Sequence, residues 1–271
     1  MGNNTNKAKK QANKTNARVS VVVACILIAC CVGFFGYNGV KSKQTNNFID
    51  SVKNTSMAPI NDINSSDNSD VNVTLQNPIN FGDLQENNGD LYSWIYVPNT
   101  SVDYPVAQNA DDDSFYLHRG TDKSYYFAGT IYTESAYNST DYNDRNTVLY
   151  GHNMLDGSMF ATLHKFEDEN FFNENEYFYI YTPDRILTYK IFAAYEVDDR
   201  HILKTHDFSD DSVWSDYLNE ISNPQSDYTC NSRDIELSLD SKIVTLSTCT
   251  NFRANDRYIV QGVLVDEQTT V

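Results

Sequence analysis

Apolar and polar positions fall along this chain in three textures. Residues 19–37, "VSVVVACILIACCVGFFGY", form an uncharged run of 19 positions, the length a helix needs to cross the hydrocarbon core of a bilayer. Residues 38–79 are polar. "KSKQTNNFIDSVKN" suits a short helix, and "NTSMAPINDINSSDNSDVNVTLQNP" has few large apolar residues. Such a composition buries too little surface to offset its ordering entropy, which predicts a stalk or linker. "NFGDLQENNGD" then reads as a helical turn or two leading into a folded body at residues 80–271.

From about residue 91 the pattern changes to short β-rich runs bounded by turn residues. "YSWIYVP", "VDYPVAQ", "YFAGTIYT", "NTVLYGH", "YFYIYTP", "ILTYKIFAAYEV", "DIELSLD", "KIVTLSTC" and "RYIVQGVLV" are each strand-like, dominated by Tyr, Val, Ile, Phe and Thr. Eight or nine strands in so short a stretch predict a mainly β body, a closed barrel or a sandwich, rather than an alternating α/β sheet. Two segments carry helical spacing instead. "SMFATLHKF" sets Met159, Phe160, Leu163 and Phe166 three and four apart, with Ser158 as N-cap. "SDDSVWSDYLNEIS" repeats the pattern with Val213, Trp214, Tyr217, Leu218 and Ile221, behind aspartates suited to a helix start. This second helix lies in a long insertion between strands, roughly 198–233, of a size that is often functional.

Charge sharpens the division. The net charge is −17, but residues 1–18 carry Lys7, Lys9, Lys10, Lys14 and Arg18 and no acid, a basic tail that predicts a cytoplasmic N-terminus ahead of the apolar span. "GYNGVKS" after the span offers no small-x-small cleavage site, so the span is read as an uncleaved transmembrane anchor. Everything after the tail is strongly acidic, which argues against a nucleic-acid partner, because phosphates are repelled before contact.

Cysteine usage turns the reading to chemistry. Cys25, Cys30 and Cys31 lie inside the apolar span as small hydrophobes, leaving Cys230 and Cys249 in the rest of the chain. Two cysteines make no disulfide framework. Either they pair, or one is structural and the other reactive. Cys249 ends the run "KIVTLSTC", amid "STCTN", which is too polar for the middle of a core. A free thiol near pKa 8.5 is only a few per cent thiolate at neutral pH, so a working cysteine needs an imidazole nearby. Among His118, His152, His164, His201 and His206, only His152 directly follows a strand and a glycine, in "NTVLYGHNM"; the other four read as structural or solvent-facing. A permanent cation to receive charge comes from Arg257, which opens "RYIVQGVLV" eight residues after Cys249, with Arg253 as the rival. "DDD" at 111–113 reads as a solvated turn rather than a Ca²⁺ loop, which needs six to eight convergent oxygens.

"NTVLYGHNM" and "TLSTC" with an arginine eight residues on resemble the sortases, cysteine transpeptidases that attach proteins to the Gram-positive cell wall. The "TLSTC" form and the helix-bearing insertion are most like class B, and "DLYSWIYVPNTSVDYPVAQ" is similar to the family's first strands, so the resemblance covers roughly residues 80–265. It implies a closed eight-stranded β-barrel with peripheral helices. Carried over by position, it implies Cys249 as nucleophile, His152 as acid/base, Arg257 as oxyanion stabiliser and Ser247 in the substrate groove. The implied substrates are surface proteins with a C-terminal sorting signal of the Asn-Pro-x-Thr type, and the implied acceptor is a peptidoglycan amine. No cofactor or metal is called for. Two alternatives stay open on the residues alone: a peptidase that only hydrolyses, and a non-enzymatic, tyrosine-rich surface domain tethered to the membrane.

Overall fold

The alternating runs close on themselves. In chain order the strands are β1 (Leu91–Tyr96), β2 (Asp103–Ala107), β3 (Ile131–Tyr132), β4 (Asn146–Tyr150), β5 (Tyr177–Tyr181), β6 (Arg185–Asp198), β7 (Cys230–Ser232), β8 (Ile243–Cys249) and β9 (Asp256–Thr269). Neighbours run β5-β1-β2-β3-β4-β8-β9-β6, and β5 pairs with β6 to shut an eight-stranded barrel. The 14-residue β6 permits this, because residues 186–190 pair with β5 while Ala193, Ala194 and Tyr195 pair with β7 outside the ring. This computed structural model describes residues 2–53, 75–250, 253 and 255–271, and only the backbone of residues 2–19, 21 and 22.

Two-residue periodicity sorts the side chains. Val244, Leu246 and Val260 join Ile95, Ile131, Leu149, Phe178 and Tyr189 in the barrel core. The helices are α1 (Gly2–Val52), α2 (Phe81–Asn87), α3 (Glu169–Glu174), α4 (Ile202–Thr205) and α5 (Asp211–Ser222). Ile243, Ile259 and Val263 point outward and meet α5, which buries Trp214, Tyr217, Leu218 and Ile221 against them. Asp210 caps α5 by accepting hydrogen bonds from the backbone N–H groups of Ser212 and Val213. Beneath α5 the buried Gln261 donates to Tyr217 Oη (3.1 Å) and Thr245 Oγ1 (3.0 Å) and accepts from Tyr195 Oη (3.1 Å). The predicted insertion helix therefore forms, docked on the outer wall of the barrel.

Other expectations changed on folding. "SMFATLHKF" forms a 3₁₀ turn over Ala161–Glu167, with Ser158 outside it. Of its four buried residues, Phe160, Leu163 and Phe166 lie three apart, the 3₁₀ period, and the fourth, Met159, takes φ +57°. "DIELSLD" is not a strand; Ile235 and Leu237 pack on the outer cluster without joining a ladder. "YFAGTIYT" contributes the two-residue β3 alone.

By compactness the chain divides into residues 1–47 and 48–271. In the first unit residues 2–47 are helical, part of α1 (Gly2–Val52), and the helix over Val23–Val52 is long and apolar enough to cross a membrane. In the second unit Ile49, Val52 and Ile79 are buried with Phe81, Leu84, Leu91 and Trp94. Ile49, Val52 and Ile79 of the stretch read as a stalk thus pack on the body, while residues 54–74 lie outside the described residues.

Candidate active site

Strand direction brings the predicted residues together. β4 and β8 are parallel neighbours in register Tyr150↔Ser247, so both end on the same rim of the barrel. β9 returns antiparallel to β8, and its register sets Arg257 opposite Cys249. The residues just past β4, at the end of β8 and at the start of β9 must therefore share that rim. His152, Ser247, Cys249 and Arg257 all line one cavity of about 290 Å³. Leu117, Thr130, Tyr132 and Tyr150 form part of its wall, and residues 198–202, the start of the insertion, form another.

Each group is set by its surroundings. Gly151 hydrogen-bonds across to β8 through its N–H to Ser247 O (3.1 Å). A Cβ there would lie 2.5 Å from Ile131 Cδ1 and 2.7 Å from the Phe160 ring, so close packing is what requires glycine before His152. His152 Nε2 lies 2.9 Å from Leu117 O. A carbonyl can only accept, so Nε2 carries the hydrogen and the neutral ring keeps its lone pair on Nδ1. The ring stacks on His118 (centroids 5.2 Å) and lies nearly parallel to Phe127 (6.1 Å, 9°). Burial holds the His152 pKa below its ordinary value; the Leu117 bond opposes this and the neighbouring His118 adds to it. Among the described residues a backbone carbonyl, not an acid, orients this histidine.

Of the two candidate cations, Arg257 lines this cavity and Arg253 does not. Arg257 Nη1 donates to Asp256 O at 3.1 Å and its side chain reaches the cavity wall. Arg253 is held elsewhere: it pairs with Glu196, donates from Nε to Asp256 Oδ2 at 2.5 Å, and lies over the Tyr228 ring. Ser247 is buried within β8, whereas Cys249 at the strand end is exposed. Both Cys230 and Cys249 are free thiols. Cys230 is half-buried on β7, its Sγ 3.4 Å from Pro224 O, and burial raises its thiol pKa.

The remaining histidines are more engaged than their local sequence suggested. His206 packs against Phe208 and Tyr217, a structural role. His118 covers the His152 ring, and His201, on the cavity wall, sits 2.9 Å from Glu134 Oε2. His164 and Asn153 both reach the main-chain carbonyl of Cys249. Two local signals marked that last group: Asn153 directly follows His152, and Glu167 lies three residues after His164 on one 3₁₀ face.

Barrel, rim thiol, imidazole and guanidinium define a cysteine acyl-transfer class of protein, and comparison with known proteins gives the family. A family model described as the sortase domain matches residues 95–265. Sortase B of Listeria monocytogenes is 36% identical over 186 residues, spanning 68% of this chain and 73% of the relative. The crystal structure of Clostridium perfringens sortase B superposes with a TM-score of 0.61 at 35% identity, covering 69% of this chain and all of that one. Sortase B from B. anthracis, solved in complex with AAEK1, gives 0.61 at 32% identity, covering 71% and 88%. The chain belongs to the sortase family of cysteine transpeptidases, in its class B branch.

Proposed function

We propose that this chain is anchored by its N-terminal helix, with residues 1–18 in the cytoplasm, and joins surface proteins to the cell wall outside. In this reading it cleaves a C-terminal sorting signal of the Asn-Pro-x-Thr type after threonine and passes the threonine acyl group to a peptidoglycan amine. The observation that carries it is the convergence of Cys249, His152, Arg257 and Ser247 on one cavity. The anchor rests on the apolar helix and the basic residues ahead of it.

The chemistry follows from the groups. The Nδ1 lone pair of His152 takes the thiol proton of Cys249, and the thiolate attacks the threonine carbonyl. The carbonyl oxygen becomes an oxyanion, which the Arg257 guanidinium stabilises with charge and up to two hydrogen bonds. The C–N bond breaks as the imidazolium returns its proton to the departing amide nitrogen, leaving a thioester. An incoming amine attacks the thioester carbonyl and gives its proton to His152; the C–S bond then breaks, and the imidazolium reprotonates the departing sulfur, leaving a new amide and the free thiol.

Water is the competing acceptor. Residues 198–202 wall the cavity, while α5 packs on the barrel's outer face. Shielding from hydrolysis is therefore assigned to the start of the insertion rather than to its helix. Deleting α5 would expose the barrel face that Trp214 covers.

The test is incubation of the full chain in detergent with a library of Asn-Pro-x-Thr peptides and a set of amines, with mass detection of products. Loss of the C-terminal remainder together with a new amide at threonine supports the reading. Hydrolysed threonine alone at every amine concentration overturns the transfer step, and a fully active Cys249→Ala chain overturns the nucleophile.

A further inference from the structure

The end of β8 has a fastening that the reaction scheme above does not use. Asn153 Nδ2 lies 3.0 Å from the main-chain oxygen of Cys249 and 3.0 Å from His164 Nε2. His164 Nε2 is itself 3.0 Å from the same oxygen. On its other side His164 Nδ1 meets Glu167 Oε1 at 2.5 Å, and its ring stacks on the buried Tyr258 at 4.7 Å. A carboxylate accepts, so Nδ1 carries a hydrogen. In the neutral ring Nε2 then accepts one Asn153 amide hydrogen while the other goes to Cys249 O. In the charged ring Nε2–H donates to Cys249 O directly. Either state ends at the same carbonyl.

We propose that Asn153, oriented by His164 and Glu167, is a positioning residue that ties the main chain of Cys249 to the loop carrying His152. The proposal rests on Cys249 being the nucleophile. β8 stops at Cys249, so the following peptide plane lacks continued strand support on one side. Asn153 supplies that support from the position next to His152. Its own backbone is fixed, because it bridges to Met159 while His152 O accepts from Phe160 N at 3.0 Å. Rotation of the Cys249 peptide, which steers the Sγ, is thus coupled to the position of the imidazole. The dipeptide His152–Asn153 sends one side chain to the sulfur's cavity and the other to the carbonyl of the same cysteine.

The test uses the full chain in detergent and four variants: Asn153→Ala, His164→Phe, His164→Gln and Cys249→Ala. The rate of Cys249 alkylation by iodoacetamide, located by peptide mapping, reads the thiol without needing substrate. Steady-state ligation of an Asn-Pro-x-Thr peptide from the library gives kcat and KM. Misplacing a reacting group by an ångström costs up to about 100-fold. Asn153→Ala and His164→Phe are therefore expected to lower kcat roughly 10- to 100-fold and to slow alkylation, with KM held within about 2-fold. His164→Phe keeps the stacking on Tyr258 and removes the nitrogen; His164→Gln restores a donor and recovers most of the rate. Wild-type alkylation and kcat in both Asn153→Ala and His164→Phe overturn the proposal, as does a His164→Gln chain no better than His164→Phe. Should Asn153→Ala fail to fold, the two His164 variants decide. An active Cys249→Ala chain instead removes the nucleophile assignment on which the proposal stands.

Discussion

Replacing Gly151 by alanine adds one methyl group where the barrel rim has no space. The new Cβ falls 2.5 Å from Ile131 Cδ1 and 2.7 Å from two carbons of the Phe160 ring. Ordinary carbon contacts begin near 3.5 Å, so the overlap is roughly 1 Å at each. Ile131 and Phe160 are both fully buried and have no solvent to move into. Overpacking of this kind costs about 1–3 kcal/mol. For a domain of about 200 residues, each kcal/mol lowers the melting temperature by roughly 2–4 °C, so a fall of about 2–12 °C is expected. The softer way to relieve the overlap is outward movement of the chain leaving β4, and that chain carries His152. A shift approaching 1 Å at the imidazole lowers kcat by up to about 100-fold while substrate contacts elsewhere persist. Thermal unfolding and steady-state ligation measure the two effects. Unchanged melting and unchanged kcat in Gly151→Ala would show that the rim relaxes freely and that His152 is not held by this packing.

Other substitutions probe the remaining parts. Arg257→Ala should lower kcat by about 10²–10³, as loss of an oxyanion donor does, with Arg257→Lys intermediate because it keeps charge but not the fork. Arg253→Ala should act on stability instead, since it strands the carboxylates of Glu196 and Asp256; equal loss of kcat at both arginines would refute the assignment. Because burial depresses the His152 pKa, the neutral base survives below the ordinary 6.5, and the acidic limb of kcat/KM should fall below that value. On the stability side, the unfolded chain protonates first as pH drops through 6.5. The native state therefore loses stability from there down to the folded pKa, and an acidic limb above 6.5 would contradict this. Gln261→Leu leaves Tyr195, Tyr217 and Thr245 short of buried partners and should cost about 2–4 kcal/mol in urea unfolding; a neutral result would mean the network repairs itself.

The sequence carried the local decisions. Period-two runs marked most of the strands, because a residue on a sheet facing a core must alternate, and the Trp214, Tyr217, Leu218, Ile221 stripe marked α5, because a docked helix must present one face. Where local pattern and neighbours disagreed, neighbours won. "DIELSLD" alternates well yet joins no ladder, since a strand exists only if another backbone meets it. The segment at 158–166 has helical spacing, but Phe160, Leu163 and Phe166 enter the core one 3₁₀ turn apart, and Met159 joins them only with φ at +57°. His152 and Cys249 were legible as candidates because each lies where a strand-like run gives way to a polar break.

Their meeting was not legible from spacing, because about a hundred residues separate them. It depends on β4 and β8 lying side by side and parallel, a choice made by closure of the whole barrel. The same holds for Arg257 over Arg253, which are four positions apart in the chain: β9 puts one opposite Cys249, while Glu196 and Asp256 hold the other. It holds for Leu117 and Asn153 too, whose partners lie 35 and 96 residues distant. The chain by itself determined which residues have reactive chemistry and which face of each element is apolar, since those follow from side-chain type and period. Tertiary structure decided which of those groups meet and which way they point, because proximity across a closed sheet is set by strand order and register, quantities that no single segment contains.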